Sequence, residues 1–211
     1  YQEHLDYYQN VQEYLRAKTN ITRWQTKNDY FVFNYDFGLL KKLSKTTKAK
    51  TIPLTKTNKI KKGCYLKNGA IYYQDVKMVN LSKIPLVGEY YLYNVMAAIA
   101  VANIFNISPK IIEKSIKEFQ PLKHRLEFVG VFKGIKFYND SLATIPEATI
   151  LALKALKKVH TLILGGYDRG QDFSKLIKEI FQSNIRTLIF FPDTGTRIYK
   201  LLQNNPKRKI K

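Results

Sequence analysis

The sequence predicts an α/β fold in two unequal parts, on three observations. A long helix of small apolar residues follows a run of short β-like pieces. Strands and helices alternate after Pro121, and polar loops stand at the edges of apolar strands. The 211 residues suit one large or two small domains, and a hydrophobic content of 45% is enough for a sizeable core.

Residues 8–20 are compatible with a helix that ends in Ala17-Lys18, and Asp29-Tyr30-Phe31-Val32-Phe33-Asn34 reads as a short buried strand. Short β-like pieces follow a basic cluster at Lys41, Lys42, Lys45, Lys48 and Lys50. Among them Cys64-Tyr65-Leu66 and Ala70-Ile71-Tyr72-Tyr73 flank Lys67-Asn68-Gly69. Asn-Gly predicts a hairpin there, because both residues tolerate positive φ. From Glu89 to Phe105 the pattern Val95-Met96-Ala97-Ala98-Ile99-Ala100-Val101-Ala102 suits a tightly packed helix. Ser108 is placed to cap the next helix, with Pro109 at its first position.

The second part has a different rhythm. Leu126–Val131 and Ile135–Tyr138 predict a hairpin around Lys133-Gly134. A helix over 146–157, a strand over 161–164, a helix over 172–182, a strand over 186–191 and a helix over 195–204 follow. Short connections between alternating strands and helices predict a parallel sheet. The parts divide into 1–120 and 121–211, and the abrupt ends lead us to expect a chain cut short at both of them.

The formal charge of +20 raises the question of a polyanionic partner. The lysines are scattered singly over most of the chain, and no recognition module with interleaved aromatics accompanies the clusters, so no nucleic-acid partner is expected. No run of about 18 apolar residues and no signal peptide is present, so a cytoplasmic protein without membrane insertion is expected. The single cysteine, Cys64, has no partner for an internal disulfide or a Cys-x-x-Cys metal site and is read as packing.

Three polar loops draw attention together: His124-Arg125, Asn139-Asp140-Ser141-Leu142-Ala143-Thr144, and Gly165-Gly166-Tyr167-Asp168-Arg169-Gly170. Loops at strand edges are where an α/β scaffold exposes groups to a ligand. The plainer reading makes Asp140 a turn-forming residue and Gly165-Gly166 the end of a strand, with Asp168 and Arg169 exposed.

These loops continue an ordered series: His4-Leu5-Asp6, Tyr14-Leu15-Arg16-Ala17-Lys18, Asn34-Tyr35-Asp36, Gly88…Asn94, His124-Arg125-x-Glu127, Asn139-Asp140-Ser141-x-Ala143-Thr144 and Gly165-Gly166-x-Asp168-x-Gly170-x-Asp172-Phe173. In that order they resemble the Mur ligase family over nearly the whole chain. The resemblance implies the later part of a central, ATPase-like α/β domain, followed by most of a Rossmann-like C-terminal domain that binds the amino acid. Within the family the likeness is strongest to the ligases that join D-glutamate to UDP-N-acetylmuramoyl-L-alanine in peptidoglycan synthesis. The chain contains no G-x-x-x-x-G-K-[ST] phosphate loop, so this piece alone is expected to be inactive.

The resemblance also assigns residues. His4 becomes a magnesium ligand, and Lys18 a carbamylated lysine whose anion binds the metal or orients its waters; loss of the amine's proton is favoured by burial. Taken by themselves, His4 reads as a surface histidine and Lys18 as a solvated lysine beside Glu13 or Tyr14. Asn94 is expected to read the adenine of ATP, and Arg125 and Asp140 to close over the ribose and phosphates. Asn94 alone is as readily a helix cap or a buried amide. Thr144 and Arg169 are expected to face the incoming glutamate, and the enzyme to act as a monomer.

Three departures stand against the pattern. Leu142 replaces the lysine of Asn-Asp-Ser-Lys-Ala-Thr, Tyr90 and Tyr91 replace the first two residues of His-Asn-x-x-Asn, and Arg169 stands where relatives usually carry lysine. They leave open a ligase that adds L-glutamate or uses another acceptor, and a non-catalytic basic binding module of the same fold.

Overall fold

The computed structural model describes residues 7–57, 60 and 62–204. The chain divides between Pro121 and Leu122 into two compact units. In the first, Asn10 accepts a hydrogen bond from the Glu13 N–H and so starts α1 (Val11–Thr19), which has no buried residue. A short 3₁₀ turn at Asn20–Thr22 leads toward β1 (Tyr30–Asn34). The strand alternates: Phe31 and Phe33 are buried, with rings stacked at 5.1 Å, while Tyr30 is exposed. It is therefore a half-buried edge strand rather than a fully buried one.

The basic cluster contains structure that composition conceals. It folds as α2 (Gly38–Leu43), whose Leu40 and Leu43 pack on Phe31, Phe33 and Ala49, and it leads into β2 (Lys50–Thr55). β2 lies parallel to β1, with Phe33 opposite Pro53. β3 (Cys64–Lys67) joins β2 in parallel, only through Leu54–Cys64 and Thr55–Tyr65. Pro53 is thus unpaired on that side, where its missing N–H costs no ladder bond. Gly63, at φ +79°, packs so closely on Pro53 that a Cβ would overlap it.

Asn68 and Gly69 have φ of 48° and 69° and close the expected two-residue turn into β4 (Ala70–Tyr73). β5 (Val76–Asn80) completes the sheet β1-β2-β3-β4-β5, whose last two pairings are antiparallel. A 3₁₀ turn at Glu89–Tyr91 enters α3 (Leu92–Ile104), which buries Leu92, Val95, Met96, Ile99 and Ala100. That i, i+3, i+4, i+7, i+8 spacing makes one face, and it packs on Ile52, Leu54, Cys64, Ile71, Met78 and Val79 of the sheet. Each large side chain so buried stabilises by roughly 1.5–3 kcal/mol. α4 (Pro109–Glu118) adds Ile112; Ser108 stands at its N-cap position, but its hydroxyl makes no capping bond.

In the second unit Lys133 and Gly134, at φ 47° and 78°, turn β6 (Glu127–Phe132) into β7 (Ile135–Asn139). Then α5 (Pro146–Leu156), β8 (Thr161–Gly166), α6 (Ser174–Gln182), β9 (Thr187–Asp193) and α7 (Thr194–Gln203) alternate. β8 and β9 are parallel, as the alternation predicts. Leu153, Leu164, Phe173, Leu176, Ile177, Ile180, Ile185, Ile198 and Leu202 form their core. No helix among the described residues is long and apolar enough to cross a membrane.

Candidate functional site

In the second unit, hydrogen bonds bring the three loops together in pairs. The Leu126 N–H donates to Asp140 Oδ1 at 2.8 Å, and the Leu142 N–H to the His124 carbonyl at 3.0 Å. The Asn139 amide lies 2.8 Å from His124 Nδ1, while its own Oδ1 accepts the Ser141 N–H. The segment bearing Arg125 is thereby joined to the one bearing Asp140. Burial raises the Asp140 carboxyl above its ordinary value, opposed by the Leu126 N–H and the Arg125 charge.

The Gln171 Nε2 donates to the Thr144 carbonyl at 3.2 Å, and its Oε1 accepts the Arg169 N–H at 3.1 Å. This joins the third loop to the second. Gly165, at φ +154°, lies so close to Phe191 that a Cβ would overlap that residue's backbone. The side chains of Arg125, Thr144 and Arg169 are exposed and hydrogen-bond to no other described residue. They are free to meet a ligand, and Leu142 beside them is exposed as well.

In the first unit, Asn94 is exposed in the first turn of α3, and its side-chain amide is likewise uncommitted among the described residues. It is neither a cap nor buried. Its neighbour Tyr93 donates to Asp36 Oδ2 at 2.6 Å, and Asp36 also accepts from Thr55 Oγ1 and the Lys56 N–H, each at 2.8 Å. Burial pushes the Asp36 carboxyl up, yet the donors Tyr93, Lys56 and Thr55 outweigh it and hold the group below its ordinary value. The Tyr91 hydroxyl is buried without a hydrogen-bond partner among the described residues.

His4 lies outside the described residues. Lys18 is exposed on α1, with its Nζ 5.5 Å from the Tyr14 ring centroid. The burial expected to ease loss of its proton is therefore not supplied by the described residues. Among those residues no group of three or more His, Cys, Asp or Glu is placed to hold a metal ion.

Sequence reasoning passed over Asp36, although it lies within a quoted motif, and missed Tyr93, Thr55 and Arg197. Arg197 forms an ion pair with Asp168 at 2.6 Å. The available signal was Asp168 in a glycine-rich loop, an acid that needs a cation if the loop is to be ordered.

Sheets packed against helices in both units define an α/β protein, with exposed polar side chains on the loops of the second unit and on the first turn of α3. Residues 1–102 match the Mur ligase middle domain, so this part of the chain is a Mur ligase family domain. It is 39% identical over 198 residues to UDP-N-acetylmuramoylalanine--D-glutamate ligase of Listeria innocua, covering 94% of this chain and 43% of that protein. The protein of the same name from Caldanaerobacter subterraneus is 37% identical, with 94% and 44% covered. The chain thus spans less than half the length of these curated relatives.

Among solved structures, MurF from Acinetobacter baumannii matches with a TM-score of 0.70 at 15% identity, over 90% of this chain and 45% of that one. A pseudomurein peptide ligase type C from Methanothermus fervidus matches with a TM-score of 0.66 at 14% identity, over 96% of this chain and 51% of that one. At such identities the likeness is one of fold.

Proposed function

We propose that the full-length protein carrying this chain is an ATP-dependent ligase that joins D-glutamate to UDP-N-acetylmuramoyl-L-alanine in peptidoglycan synthesis. The observation that carries this reading is the 37–40% identity, over 94% of the chain, to relatives named for that ligation. The uncommitted polar side chains at the strand edges support it.

In the proposed reaction a carboxylate oxygen of the acceptor attacks the γ-phosphorus of ATP, and ADP leaves. The amine of glutamate then attacks the acyl carbon of the acyl phosphate. The tetrahedral intermediate collapses to the amide, and phosphate departs with the original carboxylate oxygen. Asn94 offers a donor and an acceptor together, which matches the edge of adenine. Arg125 offers a guanidinium fork to phosphate oxygens, with Asp140 directed to the ribose. Arg169 provides a cation for a glutamate carboxylate and Thr144 a hydroxyl donor.

Magnesium would offset phosphate charge when bound. An unmodified Lys18 amine is no ligand for a hard cation, whereas its carbamate is a carboxylate-like anion and fits one. Lys18 as a carbamate, with His4, is the pair we assign to the metal. We take the enzyme to be a cytoplasmic monomer that does not insert into membranes.

Phosphate release by the full-length protein with ATP, magnesium and UDP-N-acetylmuramoyl-L-alanine tests this reading. Release should depend on D-glutamate, and L-glutamate should give no more than the background without amino acid. Equal release without amino acid, or none from folded protein, contradicts it.

A further inference from the structure

Arg197 sits one turn into α7 and reaches back to the loop that follows β8. Its Nη1 lies 2.6 Å from both carboxylate oxygens of Asp168, and its Nη2 donates to the Gln171 carbonyl. Its guanidinium carbon is 4.6 Å from the centroid of the Phe173 ring. One side chain therefore holds three points of a loop 24–29 residues upstream. The Arg197 and Asp168 side chains are only 35% and 29% exposed, so the pair is partly shielded from water.

The held points are those that shape the loop around Arg169. Asp168 Oδ1 also accepts the Gly170 N–H at 2.9 Å, on the far side of Arg169. Gln171 accepts the Arg169 N–H and donates to the Thr144 carbonyl. Fixing Asp168 and Gln171 thus fixes the backbone at Arg169 and its distance from Thr144. Charge gives a second reason. Asp168 is the sequence neighbour of Arg169 and, with Arg197 gone, becomes an unpaired acid able to compete for the Arg169 guanidinium. With Arg197 in place that acid is occupied, and Arg169 is left to face an anion from outside.

We propose that Arg197 is a positioning residue for amino-acid binding, holding the Gly165–Phe173 loop so that Arg169 and Thr144 are presented to a carboxylate of the incoming amino acid. The inference rests on the assignment of Arg169 and Thr144 to glutamate made above. Arg197 itself touches no substrate. Its substitution should act on amino-acid affinity and leave the nucleotide end alone, a split that general destabilisation does not produce.

The test uses the full-length protein and three variants, Arg197→Gln, Arg197→Lys and Arg169→Ala. Arg197→Gln should raise the glutamate KM about tenfold, with kcat and the ATP KM within about twofold of the unsubstituted protein. Arg197→Lys keeps the charge but not the fork and should recover part of the loss. Hydrogen exchange of residues 166–173 should accelerate about tenfold in Arg197→Gln, with α6 and β9 unchanged, and should stay slow in Arg169→Ala.

A raised glutamate KM in Arg169→Ala with an unchanged one in Arg197→Gln overturns the role of Arg197 and leaves the glutamate site standing. An unchanged glutamate KM in Arg169→Ala overturns the site assignment and this inference with it. Should Arg197→Gln fail to fold, Asp168→Asn breaks the same pair from the other side and must raise the glutamate KM likewise. An unchanged KM there overturns the proposal.

Discussion

The Tyr93 hydroxyl donates a 2.6 Å hydrogen bond to Asp36 Oδ2, fastening the first turn of α3 to the segment that leaves β1. Asp36 also holds the end of β2 through Thr55 and Lys56, so three elements meet at one carboxylate. Asn94, the next residue along α3, takes its position from that anchor. Tyr93→Phe keeps the ring and removes the bond. It should cost about 1 kcal/mol in unfolding free energy and raise the ATP KM roughly threefold without changing the glutamate KM. An unchanged ATP KM would separate Asn94 from the anchor.

Lys18 is exposed, and its contact with the Tyr14 ring is a cation–π pair at 5.5 Å. Lys18→Ala should shift stability by no more than about 0.5–1 kcal/mol. Turnover should fall on the order of a hundredfold, and acetate or formate should restore part of it if a carbamate is the active species. Full activity in Lys18→Ala removes the residue from the mechanism.

Asp140 gives a pH dependence of definite sign. Its carboxyl is raised in the folded state, chiefly by burial. A raised acid favours the folded state when protonated, so its stabilisation is present below the ordinary value of 3.8 and is lost as pH rises through the folded value. Asp140→Asn should therefore be as stable as the unsubstituted protein at neutral pH, or more so, with the difference shrinking in acid. Thermal unfolding across pH checks this, and a variant markedly less stable at pH near 7 contradicts it.

Cys64 is fully buried, and burial pushes its thiol up to about 12. Its Sγ lies 3.3 Å from the Met96 carbonyl on α3. Iodoacetamide should leave the native thiol unmodified and label it only on unfolding. Labelling of the native protein at the rate of a free thiol would show that the α3 face opens.

The two hairpins were legible because Asn68, Gly69 and Gly134 take positive φ, which Asn and Gly tolerate, whereas the positive φ of Lys133 is not announced by its residue type. The strands and helices after Pro146 were legible because their apolar runs are separated by short polar connections. β2 was not, since lysines precede it and Pro53 lies inside it; it survives because β3 pairs only beyond that proline. The loops that carry Arg125, Asp140, Thr144 and Arg169 could be found from residue types. Asp36–Tyr93 and Asp168–Arg197 could not, because each pair is assembled across 57 or 29 residues by packing that no local pattern encodes.

Oxygen transfer tests the central claim most directly. UDP-N-acetylmuramoyl-L-alanine labelled with ¹⁸O in its terminal carboxylate would be turned over by the full-length protein with ATP, magnesium and D-glutamate, and the released phosphate analysed by mass. The proposed acyl phosphate requires one labelled oxygen in the phosphate for each amide formed. Unlabelled phosphate, or label recovered in AMP, would contradict the account.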